Sequence, residues 1–137
     1  MRILSLDVGK KRIGVAVSDA LGITAQPMEM LLRKNKKDDI RRIRAIASDV
    51  KAEKIIVGLP LNMDGTAGPA AREVYDFAEC LRKGADIPIE PWDERFTTKE
   101  AERILLRADL SRKKRKMAND NMAAQLILQS YLDSRVK

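Results

Sequence analysis

The sequence has no histidine among its 137 residues. That absence removes Ser-His-Asp and Cys-His nucleophile systems, imidazole general bases and histidine zinc sites at once. Cysteine occurs once, at Cys80, so no intramolecular disulfide can form and a reducing compartment is expected. No apolar run is long enough to span a bilayer, and no basic amphipathic helix is evident, so no membrane partner is expected. Met1 leads directly into a strand pattern, without the charged and apolar regions of a secretory signal. Chemistry must therefore rest on carboxylates, lysines, hydroxyls or a metal held by oxygen.

What the chain does have is positive charge. Lys and Arg number 27 against 20 Asp and Glu, a net charge of +7. That balance favours a polyanionic partner, nucleic acid before membrane. The length suits one domain, residues 1–137, with one core that needs no staples.

Ile3 to Val8 and Ile13 to Ser18 read as adjacent antiparallel strands around a turn at Gly9, Lys10, Lys11 and Arg12. Alternation puts Ile3, Ser5 and Asp7 on one face of the first strand and Leu4, Leu6 and Val8 on the other. Residues 26–32 predict a third strand, with Pro27 near its start. A basic loop over 33–37 precedes a helix that Asp38 and Asp39 open as capping residues, with Ile40, Ile43, Ile46, Ala47 and Val50 at helical spacing. Residues 54–59 form a continuous apolar run, the pattern of a strand buried on both faces. A turn-rich connection over 58–69 leads to a helix starting near Pro69, with Val74, Phe77, Ala78 and Leu81 on one face. Ile87 to Trp92 holds two prolines and reads as a strand near a sheet edge. Thr97 and Glu100 stand in capping-box relation to a further helix. The last helix spans about residues 117–133, with Ala123, Leu126, Ile127 and Tyr131 along one side. Strands followed by alternating helix and strand describe an α/β protein with a mixed sheet.

Three carboxylate positions stand out. Asp7 ends the first strand, and a buried strand-end carboxylate is costly unless paired. Asp93 and Glu94 sit where a later strand gives way to a loop. Asp120 lies early in the last helix, whose Ala123 and Ala124 allow close approach to the sheet. Carboxylates converging at strand ends form an oxygen-rich site suited to Mg²⁺ or Mn²⁺. Two such ions ~4 Å apart can activate water and stabilise the leaving oxygen of a phosphodiester. Structural roles stand beside this: Asp7 as a turn cap, Glu94 paired with Arg95 or Lys99, Asp120 as a helix N-cap.

Four motifs then appear in order. They are Asp7-x-Gly9 with Gly14-Val15-Ala16, the run from Gly58 through Pro60 and Asn62 to Gly65, Asp93-Glu94-Arg95-x-Thr97-Thr98, and Asp120-x-Met122-Ala123-Ala124 with Ile127-Leu128-Gln129. Together they resemble the YqgF/RuvX family of pre-16S rRNA nucleases, also described as Holliday-junction-resolvase-like, over nearly the whole chain. The resemblance implies a ribonuclease H-like fold: a five-stranded mixed sheet, its first three strands antiparallel, flanked by helices. It implies metal-dependent phosphodiester hydrolysis, with Mg²⁺ or Mn²⁺ held by Asp7, Glu94 and Asp120. Glu94 is preferred to Asp93 because consecutive residues on an extended segment point to opposite sides. Asn119 and Asn121 flank Asp120 where related resolvases carry a further carboxylate, which leaves a second metal open. The implied role is trimming the 5′ end of pre-16S rRNA in the bacterial cytoplasm, by a monomer or homodimer.

Lys10, Lys11 and Arg12 beside Asp7, Arg95 beside Glu94, and the run Arg112, Lys113, Lys114, Arg115 and Lys116 are the candidate nucleic-acid contacts. The 58–65 connection offers backbone N–H groups for a phosphate or is simply a tight strand-to-helix turn. Trp92 reads as either a base-stacking platform or core. The same fold could cut branched DNA, or bind nucleic acid without hydrolysis. An ATP-binding reading of Asp7-x-Gly9, after the actin-like sugar kinases, needs a second lobe that this length does not supply.

Overall fold

A computed structural model describes residues 2–96 and 122–135. The β-branched runs at the start form β1 (Arg2–Val8) and β2 (Arg12–Ser18), antiparallel, with Asp7 opposite Gly14 and Ser5 opposite Ala16. The turn between them closes with the Gly9 N–H donating to the Arg12 carbonyl at 2.9 Å. A Cβ on Gly9 would stand 2.9 Å from that same oxygen, so the turn requires glycine.

The predicted third strand is split in two. β3 (Ala25–Pro27) and β4 (Leu31–Leu32) both pair antiparallel with β2, and Met28 to Met30 lie between them. Pro27 cannot donate to a ladder, and β4 re-engages β2 beyond it. Helix α1 (Lys36–Asp49) follows, then β5 (Ala52–Leu59), α2 (Pro69–Arg82) and β6 (Ile89–Asp93). A short 3₁₀ turn over Glu94–Phe96 ends this part, and helix α3 spans Met122–Arg135. The sheet order is β3-β2-β1-β5-β6, with β4 paired to β2 off that path. β5 runs parallel to both β1 and β6, so the mixed α/β sheet is the one expected, with β6 at its edge.

Alternation on β1 divides the core. Leu4 and Leu6 pack with Val15, Ile55 and Val57 under α1 and α2, joined by Ile43, Phe77 and Leu81. Ile3, Ala16 and Ile56 face α3, where Ala124, Ile127, Leu128 and Tyr131 meet them. Ser5 lies on the α3 side and donates from Oγ to the Ala124 carbonyl at 2.7 Å. Ala123 is exposed and Leu126 only half-buried, so the packed stripe of α3 runs through Ala124, Ile127, Leu128 and Tyr131 rather than through Ala123 and Leu126. Gln129 fastens this helix to the sheet, its Oε1 accepting from Ala25 N–H at 3.0 Å.

The start of α1 also differs from expectation. Its N-cap is Asn35, whose side chain accepts from the Asp38 N–H at 2.9 Å. Asp39 does not cap but is fully buried. Its carboxylate receives Arg33 Nε at 3.2 Å, the Lys34 N–H at 3.0 Å and Arg42 Nη2 at 2.6 Å. Burial alone would raise its pKa, but these donors outweigh burial and hold it below the ordinary carboxylate range. Among the described residues no helix is long and apolar enough to cross a membrane.

Candidate active site

Because β1, β5 and β6 are mutually parallel, their C-terminal ends lie together. β1 delivers Asp7 there, β5 delivers Gly58, and β6 with its 3₁₀ turn delivers Asp93 and Glu94. The two members of the acidic pair then part company. Asp93 is gripped by Arg95, whose Nε and Nη2 donate to Oδ2 at 2.9 and 2.7 Å and whose N–H donates to Oδ1 at 2.9 Å. The Arg95 side chain, through these bonds first, draws the Asp93 pKa down.

Glu94 turns the other way, over the α3 face. A Cβ on Gly58 would collide with Ile127 Cδ1 and stand 3.2 Å from Glu94 Oε1. Gly58 is thus the gap in the sheet that admits this carboxylate beneath α3. Burial, then the negative charges of Asp7 and Asp93, raise the Glu94 pKa to about 7. Asp7 is half-buried, and burial raises its pKa as well. Asp7 and Glu94 therefore form an electrostatically coupled pair at the strand ends, each held at a cost in its charged form.

Asp120 lies outside the described residues, as do Arg112, Lys113, Lys114, Arg115, Lys116, Thr97 and Glu100. Among the described residues no group of three or more potential metal ligands is present. Lys10, Lys11 and Arg12 are exposed on the turn that follows Asp7. Arg95 is committed to Asp93 and, through Nη1, to the Met63 carbonyl at 3.1 Å, so it braces the 60–68 connection as well as standing near Glu94. In that connection the amides of Leu61, Asn62, Gly65 and Thr66 are engaged within the loop, and so are not directed at a phosphate. Trp92 is half-buried and packs against the α3 side of the core: its ring meets Tyr131 edge-on at 5.1 Å, and Nε1 donates to Ser130 Oγ at 2.9 Å.

Sequence reasoning missed Asp39 and Arg33. Arg33 donates from Nη1 to the Gly9 carbonyl at 2.9 Å, and its N–H donates to the Lys11 carbonyl at 2.9 Å. These bonds moor the turn after Asp7 to the front of α1. The available signal was the odd placement of an acid, Asp39, next to the apolar stripe of α1.

A mixed sheet that gathers acidic side chains at the ends of its parallel strands, under a helix on one face, is the arrangement of the ribonuclease H-like fold. The RuvX family model, described as Holliday junction resolvase, matches residues 1–134. A relative from Halothermothrix orenii named "Putative pre-16S rRNA nuclease" is 50% identical over 137 residues, covering 100% of this chain and 98% of its own. One of the same name from Syntrophomonas wolfei is 52% identical over 133 residues, covering 97% and 94%. Among solved structures, T. thermophilus RuvC in complex with a Holliday junction substrate aligns with a TM-score of 0.58 at 17% identity, covering 98% of this chain and 96% of that one. The fowlpox virus Holliday junction resolvase aligns with a TM-score of 0.58 at 17% identity, covering 98% and 99%. These last two bear on the fold alone. The chain belongs to the RuvX family, a family of nucleases.

Proposed function

We propose that this chain is a metal-dependent nuclease, a single domain over residues 1–137, that trims the 5′ end of pre-16S rRNA in the cytoplasm. The observation that carries the reading is the coupled pair of Asp7 and Glu94 at the ends of β1 and the β6 turn. Two half-buried carboxylates that repel each other, with Glu94 raised to about 7, fit a site built for a hard cation rather than for a structural ion pair. Asp7 and Glu94, completed by Asp120, two residues ahead of α3 in the sequence, would hold Mg²⁺ or Mn²⁺. Such an ion supplies Lewis-acid activation of water and stabilisation of the departing oxygen.

The chain's own residues supply the rest. β1 is buried on both faces, so Asp7 is presented from a rigid strand. Gly58 leaves the space that Glu94 occupies, and Arg95 holds Asp93 away from that space. Lys10, Lys11 and Arg12 neutralise the substrate backbone beside the reacting phosphate. The basic run Arg112 to Lys116 is assigned to the same strand path, on sequence grounds.

The test is cleavage of a labelled pre-16S 5′ fragment with Mn²⁺ or Mg²⁺, with EDTA and Asp7→Asn controls. Asp7→Asn should lower the rate at least about a thousandfold, roughly 4 kcal/mol of barrier, while RNA binding persists. The family description favours a second reading, cleavage of four-way DNA junctions, so a labelled junction is run in parallel. Cutting of the junction but not the RNA would put that reading first. Binding without cleavage of either, in both metals, would sink the nuclease assignment.

A further inference from the structure

The basic segment over 33–37, expected to be a loop, is a loop only as far as the N-cap Asn35, with Lys36 and Lys37 in the first turn of α1. It has no part in the catalytic reading, yet the fold docks it against the catalytic turn. Arg33 binds the Gly9 and Lys11 carbonyls, and β4 pairs Leu32 with Arg12 and Leu31 with Ile13. The loop therefore sits immediately beside Lys10, Lys11 and Arg12.

Its cations divide by direction. Arg33 and Arg42 turn inward to the buried Asp39, and Arg42 also donates to the Leu32 carbonyl at 2.6 Å. Arg33 further stacks over Phe77, its guanidinium carbon 5.4 Å from the ring centre. Lys34, Lys36 and Lys37 are exposed. Neither these three nor Lys10, Lys11 and Arg12 make an ion pair among the described residues. Asp39 thus consumes two arginines to fix the shape of the loop and leaves the lysines facing solvent. A surface that holds six cations without an ion-pair partner among the described residues, on a braced backbone and against their mutual repulsion, is built for a polyanion.

A cleft of about 350 Å³ continues from the turn on this side of the sheet. Lys10 and Lys36 line it together with Gly9 and Pro60. Its α2 wall carries Glu73 and Asp76, which would repel a phosphate. A backbone crossing here is therefore confined to the Lys10 and Lys36 side.

We propose that Lys34, Lys36 and Lys37 extend the Lys10–Lys11–Arg12 turn into a phosphate track that holds the substrate strand leaving the active site on the α1 side of the sheet. The track rests on the nuclease reading for its substrate.

The experiment measures binding without cleavage, in EDTA, of a fluorescein-labelled single-stranded RNA across a salt series. The variant is Lys34→Gln/Lys36→Gln/Lys37→Gln. The control, Arg2→Gln/Lys51→Gln/Lys83→Gln, removes the same charge at the opposite end of the sheet, where all three residues are exposed. None of the six positions is buried, and a unchanged urea midpoint verifies that each variant is folded. Each lost phosphate contact lowers the slope of log K against log salt by ~0.7 on a single strand. The loop variant should lower the slope by about 2, and the control should leave it at the wild-type value. A wild-type slope in the loop variant overturns the track while leaving the nuclease reading intact. An equal fall in the control shows net charge alone and also overturns it. A wild-type protein that binds no RNA removes both.

Discussion

Glu94 shows how a single residue carries a functional cost. Its folded pKa of about 7 lies above the ordinary value of 4.5, because burial and then the charges of Asp7 and Asp93 disfavour ionisation. For an acid shifted upward, the folded state binds the proton more tightly than the unfolded state does. The contribution of Glu94 to stability is then neutral below pH ~4.5, turns unfavourable as pH rises toward 7, and levels off above that. Glu94→Gln should therefore stabilise the metal-free protein at pH 8 by on the order of 1–2 kcal/mol, allowing for partial solvent screening, and by little at pH 4.5. Urea denaturation in EDTA at the two pH values measures this. A variant less stable than wild type at pH 8 would show that the carboxylate is a favourable structural contact. Alternation on an extended chain was the sequence argument for Glu94 over Asp93; in the structure Asp93 ends β6 and is held by Arg95, while Glu94 opens the 3₁₀ turn and lies beside Gly58. Asp39 was not legible, because a charge beside an apolar stripe reads as a cap until its three donors, two of them arginines, are seen.

At the scale of elements, the site depends on how closely α3 approaches the sheet. Gly58 on β5 has Ile127 of α3 and Glu94 directly above it, so Gly58→Ala forces one of them to move. Overpacking of this kind costs about 1–3 kcal/mol, and here it should also lower cleavage by displacing Glu94. Adding Ile127→Val removes Cδ1, the atom in collision. The double variant should regain stability, read as a higher thermal midpoint than Gly58→Ala alone. No recovery would mean that the strain sits elsewhere. The α1 anchor gives a second test. Asp39 has a folded pKa below its usual value, so its stabilisation is full above pH ~4 and is lost as pH falls through the lowered folded pKa. Asp39→Ala leaves Arg33 and Arg42 without their buried partner and should cost about 3 kcal/mol at pH 7. Its deficit relative to wild type should shrink in acid, and a deficit that persists unchanged at pH 2 would assign the loss to packing. Strand and helix order was legible because the apolar periods switch cleanly from 2 to 3.6 along the chain. The division of residues 25–32 into β3 and β4 was not, since it is set by which partner residues β2 offers. The packed side of α3 was misjudged for a related reason: Ala123, Ala124, Leu126 and Leu128 give the helix several apolar stripes, and only the sheet selects among them.

For the whole molecule, the open question of substrate reduces to geometry and stoichiometry. A junction resolvase must nick two strands symmetrically, which requires two active sites related by a two-fold axis and so a dimer. A stable dimer needs a contiguous apolar face. Among the described residues the exposed large apolar side chains are Leu21 and Ile23 on the β2–β3 turn, Leu32 on β4, Met63 on the 60–68 connection and Tyr75 on α2. They are spread over four segments, and Met63 and Tyr75 stand apart from the others in the chain. Single exposed apolar residues of this kind do not make an interface. The net charge of +7 further opposes self-association at low salt. The prediction for a single chain acting alone is kinetic. The initial rate of pre-16S cleavage should then rise in direct proportion to protein concentration, and the protein should sediment as a monomer over the same range. Junction cleavage that rises with the square of concentration, alongside a sedimenting dimer, would instead place the two-fold axis in the working enzyme and make branched DNA its substrate.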